Sequence, residues 1–329
     1  MTRLNKKTVV IFILLVVALY ILIEVVPRVT GALTGTETLQ YGELKVSVPV
    51  ESWVVRDETC YKAAADGTMK GFADEGTLVK RGSKVVDFTE AEGSSEEDDV
   101  NDSGAKYKGI RERLGDALVE DKNQKAQRKG IFSCYIDGYE STLTPAKMKK
   151  LEYGDVNGID KEPKDLKRKN AHAGEPIYKI ADNSQWYLLF WIEDSDISKF
   201  EKGAPVKIAF EDGDIEGKIY SVDQDGDKYR TIVSTNRYYK DLMKIRKVDV
   251  QIVTTDMEGL LISNKCLTTK KKQVGCYVKT TTGDYVFRRV QTLATDGEKT
   301  LVTETQFFGE DGKPVNTVKA YDEVLTDPK

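Results

Sequence analysis

Two similar half-motifs, far apart in the chain, constrain the fold more than any other feature. The first runs Asp66-Gly67, Gly76, Val79-Lys80-Arg81-Gly82 and Val85-Val86-Asp87-Phe88. The second runs Asp137-Gly138, Ala173-Gly174 and Ile177-Tyr178-Lys179-Ile180. A polar segment separates the two, and another interrupts the second. Asp-Gly pairs beside short apolar runs signal tight turns between strands, with a left-handed position expected at Gly67. Half-motifs of this kind predict one small β-sandwich closed from both stretches, with the intervening segment projecting from it. That arrangement suits a connecting protein better than an enzyme.

The N-terminus sets the topology. Val9 to Ile23 is an unbroken apolar run, and apolar character continues to Pro27 apart from Glu24. About 19 residues at ~1.5 Å rise span about 28 Å, close to the hydrocarbon thickness of a bilayer. Arg3, Lys6 and Lys7 precede the run and only Arg28 follows closely, so the N-terminus is expected in the cytoplasm and the body outside. The competing reading is a cleaved signal peptide. The apolar core is long for one, and Thr30-Gly31-Ala32 is a poor cleavage site, so a retained anchor is expected.

The 329 residues carry a net charge of −4, with acidic and basic side chains interspersed, so no global basic field points to nucleic acid. A single histidine, His172, leaves histidine-based catalysis and a zinc site without candidates; it reads as a solvated loop residue. Asp223-Gln224-Asp225-Gly226-Asp227 resembles the start of a calcium loop. Lys228 holds the glycine position and Ser234 the glutamate position, so a hairpin turn fits better. No glycine-rich phosphate loop precedes a helix. No catalytic residue, metal or cofactor is expected.

The four cysteines form no C-x-x-C pair. Outside the cytoplasm disulfides become possible. Cys266 and Cys276 flank the turn-like Lys270-Lys271-Lys272-Gln273, roughly opposite each other on one hairpin, and are the better candidate pair. Cys60 and Cys134, on strands leading into the two Asp-Gly turns, are the weaker one. The alternative is four small buried apolar side chains.

Residues 28–50 read as a juxtamembrane linker rich in Thr and Gly. Strand patterning starts near Trp53. Residues 89–106 are acidic and small, with Glu90 to Asp99 unable to build a core. Ile110, Leu114 and Leu118 then recur at helical spacing, either as a short surface helix or as a reduced helical hairpin that touches a partner. Thr144-Pro145 looks like the start of a brief helix through Met148 and Leu151. Trp186–Ile192, Val206–Phe210, Ile215–Val222, Tyr229–Ser234 and Val248–Val253 are strands at near-regular spacing, the signature of a small antiparallel barrel. A further strand set follows to the C-terminus. The chain is therefore expected to be mainly β.

The first half-motif resembles a biotinyl or lipoyl carrier sandwich, but carboxylates stand where the carrier lysine is required. Anchor, split sandwich and barrel together resemble a periplasmic adaptor, or membrane fusion protein, of the hemolysin-D type. Lys62 to Gly67 through Val79-Lys80-Arg81-Gly82 carries its first half-motif. Gly130-Ile131-Phe132-Ser133, Asp137-Gly138-Tyr139-Glu140 and Ala173 to Ile180 carry the second. Leu260-Leu261-Ile262-Ser263 to Cys276-Tyr277-Val278, then Phe287-Arg288-Arg289-Val290, resembles its membrane-proximal hairpins. The resemblance implies a cytoplasmic tip and transmembrane helix at 1–27, the linker at 28–50, a split barrel-sandwich hybrid from 51–88 plus 130–180, a polar or helical insert at 89–129, a β-barrel at 181–255 and a membrane-proximal β-domain at 256–329. It also implies a non-catalytic role beside an inner-membrane transporter, of the ABC or proton-driven class, with self-association into rings. The alternative is a structural cell-envelope or division-associated protein that keeps the fold without serving export. Relatives that reach an outer-membrane channel carry a long helical hairpin. Here two arms of at most about 15 residues would span only about 22 Å each.

Overall fold

The structure, a computed structural model, describes residues 35–91, 100–159, 162–239 and 241–328, with Leu15, Val16 and Tyr20. The expected transmembrane run lies outside these residues but for those three, and among the described residues no helix is long and apolar enough to cross a membrane. The chain divides into two units, residues 47–254 and residues 1–46 with 255–329.

In the first of these the two half-motifs share their sheets. One sheet has the order Leu78–Val79, Gly130–Ser133, Pro176–Ala181, Glu58–Ala63, Val119–Asp121. The other has the order Asn170–Ala171, Gly67–Phe72, Val86–Glu90. Each sheet therefore combines strands from both halves, and neither half has a core of its own. Between the sheets Tyr61 stacks on Tyr178 at 4.7 Å and Phe132 leans on Tyr178 at 5.6 Å. Burying each such ring contributes roughly 2–3 kcal/mol. The turns differ from the simple expectation. Gly138 and Gly174 hold positive φ of 87° and 81°, but Gly67 does not. A Cβ on Gly67 would instead lie 2.4 Å from the Thr89 carbonyl oxygen, so that glycine is required by close strand approach.

The insert does not form two projecting arms among the described residues. It holds one α-helix, Val100–Leu114, that lies down on the sandwich. Tyr107, Ile110 and Leu114 are buried in the sandwich core, with Leu118 following. This is the i, i+3, i+7 stripe of an amphipathic helix. The Tyr107 hydroxyl donates to the Asp165 carbonyl at 2.8 Å, and the Arg168 guanidinium covers the Tyr107 ring. Val119–Asp121 then joins the sheet in parallel, Lys62 facing Glu120.

Six strands close the barrel: Pro205–Phe210, Gly213–Asp225, Lys228–Thr235, Trp186–Ile192, Gln40–Val55 and Lys247–Ser263, the last pairing back to the first. The strand Gln40–Val55 begins inside the stretch read from sequence as a linker. Its burial alternates from Leu44 through Val46 and Val48 to Val50, the period-2 pattern of a strand with one face inward. The segment after Asp137 crosses the outer barrel wall. There Leu143, Met148, Leu151, Val156 and Ile159 pack on Trp53, Val55, Leu189 and Ile232. The helix expected after Thr144 is a 3₁₀ turn, Met148–Lys150, and the α-helix comes later, at Tyr153–Val156. Glu152 and Asp155 form its reciprocal capping box.

In the other unit a five-stranded sheet has the order Thr36–Thr38, Glu323–Leu325, Gln273–Lys279, Thr268–Lys270, with Tyr285–Arg289 also pairing to Gln273–Lys279. The end of Lys247–Ser263 pairs with Lys299–Val302, Leu261 facing Leu301. The core comprises Leu39, Leu260, Ile262, Cys266, Cys276, Val278 and Val324 among others.

Candidate functional site

The least ordinary feature is a cluster of six charged side chains with almost no exposed surface, inside the 47–254 unit. Glu58 heads a sandwich strand, and Lys179 lies on its partner strand opposite Cys60. Alternation along these strands turns both side chains the same way. Lys179 Nζ lies 2.8 Å from Glu58 Oε1 and 3.2 Å from Glu140 Oε1. Arg246, just before the strand Lys247–Ser263, reaches Asp137 Oδ2 with Nε at 2.7 Å and Glu58 Oε2 with Nη2 at 2.5 Å. Its Nη1 donates to the Val54 carbonyl at 2.9 Å. Arg56 donates to Glu58 Oε1 at 3.1 Å and to the carbonyls of Leu242 and Ile245. Glu140 accepts from the backbone N–H of Asp137 at 3.0 Å and of Gly138 at 2.9 Å. The Asp-Gly turn of the second half-motif thus presents its carboxylates to the cluster.

Three cations face three carboxylates, so the cluster is neutral as a whole. Each charge is out of water, which carries a penalty of several kcal/mol per ion, offset only by its partners. Burial pushes the Glu58 carboxyl up, but Arg246, Arg56 and Lys179 outweigh it and hold the group well below the usual carboxylate range. Glu140 goes the other way: burial, then the charge of Asp137, raise it. Lys179 remains a firm cation because Glu58 and Glu140 outweigh its burial. Cys60 lies among these groups but is buried with them, and burial, then the charge of Glu140, push its thiol up. What the arrangement does physically is tie sandwich residues Glu58, Asp137, Glu140 and Lys179 to the barrel-side backbone at Val54, Leu242 and Ile245. With the 139–159 strap over the barrel wall, sandwich and barrel are joined twice.

Sequence reading singled out Asp137-Gly138 as a turn and saw none of the cluster as such. The available signal was Lys179 between Ile177-Tyr178 and Ile180, a lone charge in an apolar strand. Arg56 and Arg246 carry no local mark; only the fold brings them together. The cysteines are all buried and unbridged. Cys60 and Cys134 both lie in the sandwich core, and Cys266 and Cys276 both in the core of the other unit. Thr268 faces Gly275, so position 267 comes opposite Cys276 and Cys266 sits one residue beyond, in a 3₁₀ turn. His172 is in a loop, its Nδ1 3.7 Å from Asp66.

Residues 58–182 match the family model of the RND-related barrel-sandwich hybrid domain, and residues 186–256 match that of the RND-related β-barrel domain. The two models follow one another over more than half of the chain, on the elements that the buried cluster joins. The chain belongs to the periplasmic adaptor family. Among solved structures, the adaptor is similar to MacA from Actinobacillus actinomycetemcomitans, at 12% identity and TM-score 0.38, over 89% of this chain and 99% of that one. ZneB from Cupriavidus metallidurans matches at 10% identity and TM-score 0.32, over 89% and 92%. The membrane fusion protein Spr0693 from Streptococcus pneumoniae R6 matches at 13% identity and TM-score 0.29, over 63% and 98%. No curated protein matches the adaptor's sequence. Adaptors of this family are extracytoplasmic and membrane-associated.

Proposed function

We propose that the chain is the non-catalytic, membrane-anchored adaptor subunit of an efflux or secretion transporter. It works by extracytoplasmic contacts with an inner-membrane transporter of the ABC or proton-driven class, and it self-associates. The observation that carries this reading is the succession of the two domain matches, residues 58–182 and then 186–256. The buried ionic joint supports it mechanically, since a part that transmits position between partners needs sandwich and barrel to move as one. The helix Val100–Leu114 packed on the sandwich favours a short-reach version. At about 22 Å long and lying flat, that helix gives little reach towards a distant outer channel.

The test is crosslinking in intact cells followed by affinity purification of the full chain. Recovery of a polytopic transporter in stoichiometric amount is the expected result. Recovery of only wall or division proteins would replace this reading with the structural envelope role.

A further inference from the structure

The geometry points to a membrane-surface contact at the lysine turn of the strands Thr268–Lys270 and Gln273–Lys279, with anionic lipid headgroups as its ligand. This inference rests on the retained anchor. Lys270 pairs with Gln273, so Lys271 and Lys272 form a two-residue turn. Both hold left-handed backbone, φ 51° and 65°. Such turns favour Asn-Gly, because a β-carbon is penalised at both positions. Two lysines there are a local conformational compromise of the kind that collects at functional positions. All three lysines are exposed, and none has a carboxylate partner among the described residues.

An aromatic pair on the neighbouring strands Gln273–Lys279 and Tyr285–Arg289 lies within reach of the Lys270 side chain. Tyr277 and Phe287 meet edge-on at 5.5 Å, both half-buried. Lys270 Nζ lies 5.6 Å from the centre of each ring. Gly275 makes room for this: a Cβ there would fall 2.5 Å from Phe287 Cζ. Exposed lysines beside amphipathic or apolar rings are the combination that lies at a lipid interface.

Strand direction aims the turn at the bilayer. Glu37 faces Val324, and Val324 faces Val278, both pairings antiparallel. Thr36–Thr38 and Gln273–Lys279 therefore run the same way, with Glu37 and Val278 abreast. The chain enters Thr36 from the end of the sheet where Lys271 and Lys272 lie. From Val278 to Lys272 is about 20 Å along the strand. From Glu37 back to Pro27, where the apolar run ends, the extended chain reaches at most about 35 Å. The turn lies inside that reach and on the same side.

The test uses the full chain in vesicles of phosphatidylcholine, alone or mixed in equal parts with phosphatidylglycerol, and reads lysine acylation by mass spectrometry. Each lysine near an anionic surface is worth roughly fivefold in partitioning. Labelling of Lys270, Lys271 and Lys272 should therefore fall at least several-fold in the anionic vesicles and recover in high salt, with Lys299 and Lys313 unchanged. In the Lys271→Asn, Lys272→Gly double variant, Lys270 should lose its protection while Tm rises, because the favoured turn sequence is restored. Equal labelling in both vesicles would overturn the inference, as would unchanged Lys270 protection in the double variant. Protection that needs a transporter rather than anionic lipid would assign the turn to an acidic protein surface, and overturns it too. Failure of the chain to float with either vesicle would instead refute the anchor.

Discussion

Lys179 Nζ and Glu58 Oε1 lie 2.8 Å apart with neither side chain exposed. Lys179 thus compensates a carboxylate that has no water to fall back on. Replacing Lys179 by Met keeps the volume and strands Glu58 and Glu140. We expect a loss of about 3–5 kcal/mol and a Tm lower by roughly 10 °C, read by calorimetry. A change under 1 kcal/mol would mean that water reaches the cluster.

The same cluster sets an acid limb. Glu58 is held below its unfolded value of about 4.3 by Arg246, Arg56 and Lys179 acting against burial. Its contribution is whole above that unfolded value and is lost as pH falls through the folded one. Glu140, raised by burial and by Asp137, has the opposite sign: its contribution declines as pH rises from the unfolded to the folded value. Denaturant titrations should show stability dropping steeply below pH ~4. In Glu58→Gln the curve should start lower at neutral pH and flatten on the acid side. An unchanged acid slope in that variant would assign the limb to other carboxylates.

Ile110 anchors the insert. It is buried against the sandwich with Tyr107 and Leu114. Ile110→Ala should cost about 2–4 kcal/mol and raise hydrogen exchange across 106–118 more than across the barrel. Uniform exchange would show that the helix is no part of the sandwich's cooperative unit.

Two glycines test the sandwich closure. A Cβ at Gly130 would lie 2.2 Å from the Ala181 carbonyl oxygen, whereas one at Gly76 meets nothing within 4 Å. Gly130→Ala should therefore unfold the protein or cost several kcal/mol. Gly76→Ala, strained only by its φ of 77°, should cost about 1–2 kcal/mol. Equal costs would show that the strands Gly130–Ser133 and Pro176–Ala181 separate more easily than their packing implies.

We propose that Cys266 and Cys276 are joined when the chain folds outside the cytoplasm. Burial pushes both thiols up to about 12, so the reduced folded protein should resist alkylation at pH 8. Protein taken from the envelope and alkylated only after unfolding should yield a linked Cys266–Cys276 peptide, with Cys60 and Cys134 alkylated. Four alkylated cysteines would dismiss the bridge.

Much of the fold was legible because it rests on local chemistry. The strand Trp186–Ile192 stands out as a continuous apolar run, and Pro205–Phe210 after it shows the alternation of a strand with one buried face. The half-motifs announce themselves through Asp137-Gly138 and Ala173-Gly174. Two things were hidden for physical reasons. In Gln40–Val55 the alternation is carried by few large side chains, set after a Thr- and Gly-rich stretch, and composition masked periodicity. The ionic joint is a property of distant pairs, such as Arg246 with Val54 and Glu58. No spacing rule links residues that meet only after sandwich and barrel have formed.

The parallel pairing of Val119–Asp121 on Glu58–Ala63 makes the insert an ill-suited cassette for engineering. Swapping out all of 89–129 for a longer arm would strip an edge from the sheet and bare Tyr61. Splices that leave Tyr107 through Asp121 in place would lengthen the molecule without opening it.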